Sequence, residues 1–537
     1  MSAYSPGAGA AVGKPGNNRA TVPGRSDHVV VVGAGLSGLA AALHLRGSGR
    51  EVTLLEKSSH PGGRVGFYAG SHDGDTFRID SGATVLTMPD LIDEALAAVG
   101  ATRRSTTPQL HIRRLDPAYH ARFADGTAIN VHSDPDQMEE EVRRTCGPDE
   151  ASRYRDLRAW LQSVFETEFD RFIASNFDSP LDLVNSPAAL REISQLVAMG
   201  GFGRLGRQVS KRLKDARLQR IFTFQALYAG MPPAKALGVY GAIAHMDTSL
   251  GVYFPEGGMH SITSAMADAF VHAGGRIHYN ADVTALESSG PRITAARCTD
   301  GQRFTADAFV LTADLPIVDG LLSSTPARPA RRRTRWSPSA FIMHGTVPKS
   351  TASLWPAQGH HIIDFGGEWD RTFQELTGRK GRGHLMTDPS LLITRPSLTD
   401  TGMLLGDPDE PSELLSVLAP CPNLDSAPLD WERVTPAYQE ELLITLEERG
   451  YKGISGSDGS GFTVSHVDSP ATWQAQGMAA GTPFSAAHNF PQTGPFRRRN
   501  LVKGVQNAVL AGCGTTPGVG VPTCLISGKL AASRITG

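Results

Sequence analysis

The stretch His28-Val-Val-Val-Val-Gly33-Ala34-Gly35-Leu-Ser-Gly38, followed by Glu51-Val-Thr-Leu-Leu-Glu56, constrains this chain more than any other. It reads as strand, glycine turn, helix, second strand and acid, the βαβ unit that holds the ADP half of a dinucleotide. Gly33 permits the tight turn. Gly35, with Ala34 before it, lets the backbone approach a pyrophosphate, and Gly38 lets helix and sheet pack closely. The helix N-terminus offers free N–H groups and partial positive charge to the phosphates. Glu56, eighteen residues past Gly38 and just before Lys57, falls where a carboxylate accepts the ribose hydroxyls. A glycine-rich turn without a ligand would need only the glycines; here the strands, helix and acid all stand in place.

A chain of 537 residues is too long for one core, so two domains, interleaved, are expected. The net charge of -2 argues against nucleic acid as a partner. Cys146, Cys298, Cys421, Cys513 and Cys524 are scattered without a CxxC pair, which fits a reducing cytoplasm and suggests no metal site. Residues 1–26 are rich in Gly, Ala, Pro and Asn and lack an apolar core segment, so they are expected to be a disordered leader and no signal peptide. The longest apolar stretches, 29–45 and 509–526, are cut by glycine and proline, and no transmembrane helix is expected.

The fold class is α/β: a Rossmann-type nucleotide domain assembled from discontinuous segments, with an inserted mixed α+β substrate domain. The nucleotide domain takes 27–102, 246–324 and 500–537. The substrate domain takes 103–245 and 325–499. A helix is expected over 90–99, short strands over 110–115 and 119–123, and a long helical tract over 136–228. Strands are expected near 276–283 and over 308–313. The last segment reads as a strand from 507, a glycine turn and a helix over 523–533.

Three further motifs carry chemistry. His60-Pro-Gly62-Gly63-Arg64 follows the acid directly, and an arginine fork matches phosphate oxygens. Ile79-Asp80-Ser-Gly82-Ala83-Thr84 comes next. Near the C-terminus, Gly512-Cys-Gly514-Thr-Thr-Pro517-Gly518-Val-Gly520-Val521-Pro522 leads into a helix whose N-terminus can stabilise negative charge on a ligand.

Together these motifs resemble the FAD-dependent carotenoid desaturases of the flavin amine oxidase superfamily, the bacterial and fungal phytoene desaturase type. The resemblance extends through 224–233, 251–259, 417–422, 481–485 and 492–500, covering the chain from about residue 27 to the end. Departures stand at Cys513, Thr516, Thr523-Cys524 and Glu256. The resemblance implies FAD held by Gly33, Ala34, Gly35, Gly38, Glu56, Lys57, Gly62, Gly63, Arg64, Gly82, Ala83, Thr84, Val283, Gly512, Gly514 and Val521.

It also implies desaturation of a carotenoid precursor, phytoene foremost, by hydride transfer to flavin N5 and loss of a proton. A quinone or oxygen would then take the electrons. Cofactor chemistry of this kind needs little from the protein's own acids and bases. No catalytic residue is assigned, although His488, Glu256 and Asp149 are conceivable proton acceptors. A polyene of about 40 apolar carbons costs on the order of 30 kcal/mol to hold in water at ~0.8 per methylene. Peripheral attachment to a lipid surface at the cytoplasmic face is therefore expected. Basic clusters at 204–220, Arg331–Trp336 and Arg497–Arg499 could contact that surface. The rival readings are a later-step carotenoid desaturase, a carotenoid oxidase or ketolase, another oxidase of the superfamily, and a non-catalytic flavin-binding polyprenoid carrier.

Overall fold

The computed structural model describes residues 20–328, 334–378, 381–456 and 459–537. Its centre is a five-stranded parallel sheet in the order Ala508–Leu510, Ala308–Leu311, His28–Val32, Glu51–Leu55, Arg276–His278. Val29 to Val32 pair with Ala308 to Leu311 on one side and with Val52 to Leu55 on the other. These strands are almost continuously apolar because helices cover both faces of such a sheet. Helix Leu36–Gly47 packs against the C-terminal helix Val521–Thr536. Gly528 makes that contact possible: a Cβ there would stand 2.3 Å from the Ser37 carbonyl.

A seven-stranded mixed sheet forms the second layer. Its order is Thr463–Asp468, Ser339–Pro348, Ser412–Cys421, Leu391–Thr394, His361–Phe365, Tyr119–Phe123, Ala128–Val131. The pairing of His361–Phe365 with Tyr119–Phe123 is parallel and the others are antiparallel. This is the inserted α+β element expected beside the nucleotide fold.

Two sequence expectations need correction. Within residues 20–26 of the expected disordered leader, Val22 and Ser26 are buried. Val22 donates its N–H to the Arg534 carbonyl at 2.7 Å, and Arg534 donates to the Ala20 carbonyl at 2.6 Å. Residues 1–19 lie outside the described residues. The expected helical tract over 136–228 is several helices. Gly147, at φ +93°, ends Pro135–Cys146 and Pro148 starts Pro148–Glu168. A π-turn, Phe169–Ile173, then breaks the line before Pro187–Ala198 and Leu205–Arg212. A second π-turn, Met246–Leu250, follows the short helix Gly241–His245. Such turns widen a helix locally and often occur at functional sites.

Candidate functional site: a dinucleotide cradle opening into an apolar chamber

One cavity of about 1290 Å³ is walled by both sheets, with Val32 and Leu55 on one side and Ile342, Leu392 and Leu418 on the other. Drug-sized ligands occupy roughly 300–1,000 Å³, so this volume admits a cofactor and a second ligand together.

The cofactor end is built from backbone. Gly33, Gly35, Glu56, Lys57, Gly62, Gly63 and Arg64 line it. Gly82, Ala83, Thr84, Val283, Gly512, Gly514 and Val521 complete the wall. Ala34 and Gly38 stand behind it. Ala34 donates its N–H to Glu56 Oε2 at 2.7 Å, and Ser58 donates to Glu56 Oε1 at 2.8 Å. A Cβ on Gly38 would lie 1.9 Å from the Gly33 carbonyl, so only glycine lets helix and turn meet. The two glycine turns are tied by the Gly62 N–H to the Ala34 carbonyl at 3.0 Å.

These residues fit FAD. Gly35 caps helix Leu36–Gly47 without a side chain, leaving first-turn N–H groups at the cavity. Gly520 does the same for Val521–Thr536. Arg64 keeps a buried Nε without a partner while its guanidinium pairs with Asp314 and donates to Cys513 Sγ at 3.2 Å. Burial disfavours the Arg64 charge, but Cys513 and Asp314 more than offset that and hold its pKa above the ordinary value. Burial pushes the Cys524 thiol up to about 12, so it stays a protonated packing group.

Arg497 staples the C-terminal turn. It is buried and donates to the carbonyls of Thr515 at 2.9 Å, Ala486 at 3.2 Å and Cys513 at 2.5 Å. The sequence allows it, within Arg497–Arg499, to contact lipid, but its burial removes it from any surface. Arg498 pairs with Asp319, and Arg499 is exposed. In the 204–220 cluster, Arg212 lies over the Trp160 ring, Arg217 pairs with Asp215, and Arg220 donates to the Gly366 and Gly367 carbonyls. Residues 331–333 of the third cluster lie outside the described residues.

The other end of the cavity is apolar, walled by Phe172, Ile193, Leu196, Phe224, Leu237 and Ile243 among others. At its rim, Val184, Val197, Phe202 and Phe490 line the cavity and are exposed, Val197 at 59% and Phe490 at 53%. Leu181 and Leu190 stand exposed close by in the chain. Exposed apolar residues this dense mark an interaction surface. No described helix is long and apolar enough to cross a membrane.

Two carboxyl groups face the apolar end, both at π-turns. Glu168 immediately precedes Phe169–Ile173, and Asp247 lies within Met246–Leu250. Burial alone holds the Glu168 carboxyl well above its usual range. Burial raises Asp247 to about 7, against a smaller lowering by its Gln225 hydrogen bond. Sequence reasoning missed both. The signal for Asp247 was a lone acid in the otherwise apolar run Gly241-Ala-Ile-Ala-His-Met-Asp247.

The proton acceptors considered from sequence are placed otherwise. Asp149 is exposed in the first turn of Pro148–Glu168, and Glu256 pairs with Arg113. His488 does line the cavity, but its Nδ1 meets the Tyr240 hydroxyl at 3.2 Å and its Nε2 accepts from the Val519 N–H at 3.5 Å. Burial, then the Arg497 charge, keeps it neutral.

A backbone cradle for a dinucleotide, opening into an apolar chamber, is the arrangement of a flavoprotein oxidoreductase. The chain matches the model of the flavin-containing amine oxidoreductases over residues 36–405 and 460–536, and it belongs to that family. It is 53% identical over 519 residues to a phytoene dehydrogenase of Streptomyces griseus, covering 96% of each chain. It is 30% identical to a zeta-carotene-forming phytoene desaturase of Myxococcus xanthus, covering 94% of this chain and 93% of that one. Among solved structures, a cofactor-binding redesign of putrescine oxidase superposes with a TM-score of 0.56 at 13% identity, covering 94% and 98% of the two chains.

Proposed function

We propose that this protein is an FAD-dependent dehydrogenase of a carotenoid precursor, phytoene, taken from a membrane surface. One observation carries the reading: a single cavity joins a dinucleotide cradle to an apolar chamber whose rim is exposed and apolar. The names of the relatives supply the substrate. Bound FAD would supply the two-electron acceptor, and a quinone or oxygen would take the electrons onward.

The chain's own residues hold, align and dry the site. We assign the cofactor to the glycine turns 33–38 and 62–64, Glu56, Lys57, the 82–84 strip, Val283 and the 512–521 turn. The nucleotide domain is then 27–102, 246–324 and 500–537, and 103–245 with 325–499 shape the chamber. The rim around Pro187–Ala198, flanked by Arg191, Arg204, Arg207 and Lys211, would dip into the lipid interface and let the polyene pass without crossing water. Incubating the FAD-loaded protein with phytoene-bearing vesicles and an acceptor should give new absorbance bands at longer wavelength. Unchanged phytoene, with the protein bound to both FAD and vesicles, would overturn the substrate assignment.

A further inference from the structure

Removing two hydrogens from a CH–CH unit sends one out with its electron pair and the other out as a proton. The electron pair of the second C–H bond becomes the new π bond. Bound FAD would supply the hydride acceptor; the proton needs a base in the apolar chamber wall. We propose that Asp247 is that base, its carboxylate taking the proton to become a carboxylic acid. The assignment rests on the polyene reading given above.

The walls leave few rivals. Asp282 is exposed, Glu56 accepts two backbone N–H groups, Asp314 pairs with Arg64, and both nitrogens of His488 are engaged. Glu168 has only burial acting on it, which raises it well above the usual carboxyl range, whereas Gln225 holds Asp247. His361 lines the chamber, but burial lowers it to about 4, which makes it a weak base.

Asp247 lines the same cavity as the cofactor end. Its π-turn runs into Val252 and Tyr253, and Tyr253 exchanges backbone hydrogen bonds with Leu86 at 2.7 and 2.9 Å. Leu86 continues the 82–84 strip that lines the cofactor end. Gln225 bonds the Asp247 carboxyl, and Tyr119 and Tyr228 feel its charge. The Gln225 side chain also bonds the Tyr119 hydroxyl, so Asp247, Gln225 and Tyr119 form one polar group in the apolar wall.

The groups around Asp247 that can carry charge are few. Tyr119 and His361 come from neighbouring strands, and Tyr228 from the turn after Phe224–Leu227. His245 lies on its own segment and is held neutral by burial, at about 4. Helix Pro148–Glu168 contributes Tyr154, Glu168 and Arg158, whose guanidinium is spent on the Tyr154 hydroxyl and the Thr248 and Ser133 carbonyls. Of this set, Asp247 is the carboxyl with a midpoint near 7.

The test uses FAD-loaded enzyme on phytoene vesicles without oxygen, following flavin reduction against pH. Infrared spectra record protonated carboxyl groups in parallel. For the unaltered protein, the rate should rise to a plateau with a midpoint near 7, and a carboxyl band should titrate over the same range. D247N should keep its FAD and its polyene, lose that band, and reduce flavin about 100-fold or more slowly without the pH dependence. D247E should recover part of the rate. A D247N rate within about threefold of the unaltered protein and with the same pH profile, or a titrating band that survives in D247N, would overturn the assignment. So would a D247E no faster than D247N with substrate still bound. Flavin that phytoene never reduces in the unaltered protein would instead sink the polyene reading, and this proposal with it.

Discussion

The two ends of the cavity are made differently. The cofactor end is mostly backbone: the glycine turns at 33–38, 62–64 and 512–520, two helix N-termini and the Glu56 carboxylate. The apolar end is mostly side chains drawn from residues as distant as Tyr119 and Phe496. Recognition through N–H groups needs close approach, which only glycine at fixed spacing allows. Recognition of a hydrocarbon needs area, which many apolar residues can supply. The first end should therefore be brittle to single substitutions and the second tolerant, except at its carboxyl groups.

The sharpest break in that contrast is Gly38→Ala. Its Cβ would meet the Gly33 carbonyl at 1.9 Å, backbone against backbone. We expect loss of FAD binding and a stability cost of about 3 kcal/mol or more, read by flavin absorbance and thermal melting. An apolar-end change such as Ile243→Val should cost only about 1 kcal/mol.

Asp247→Asn should do the opposite and stabilise. The carboxyl titrates near 7 when folded against 3.8 as the ordinary value. The unfolded chain thus ionises first, and the native protein loses stability as pH rises from about 4 to 7. Asn removes that loss, a gain of up to about 4 kcal/mol at pH 8 that shrinks to nothing below pH 4. Melting temperatures across pH check the sign.

Next comes Glu56→Gln, which replaces a charge-assisted acceptor for the Ala34 and Ser58 N–H groups. FAD affinity should fall by about 1.5–3 kcal/mol, roughly 10- to 100-fold, measured by flavin titration. The smallest effect on stability belongs to the rim. Leu190→Ser with Val197→Ser should change the melting temperature little, since both are more than half exposed, with a change within about 0.5 kcal/mol. Flotation with anionic vesicles should weaken by about 10-fold or more. Unchanged flotation would move the lipid-facing surface elsewhere.

The same contrast decides what could be read from sequence. The nucleotide motif was legible because each of its residues answers a local backbone demand: Gly33 a positive φ of 104°, Gly38 a carbonyl under its Cα. The strand-turn-helix ending in Val521–Thr536 was legible for the same reason. Arg497 was misread because a run of three arginines looks solvated, whereas the first of them turns inward to bond four carbonyls. Asp247 and Glu168 were missed because their role comes from burial in a cavity wall built from segments distant in the chain. Packing between distant segments decides that, not spacing. The ordered stretch 20–26 was hidden likewise, since its partners are Arg534 and Asp178.

The central claim is that one cavity brings FAD and a polyene together for two-electron chemistry. Mixing FAD-loaded protein with phytoene vesicles in the absence of oxygen and any other acceptor tests it in a single turnover. We expect one flavin bleached for each new double bond counted in the polyene spectrum. Flavin that stays oxidised while the phytoene is demonstrably bound would contradict the claim and leave the protein a carrier of the polyene.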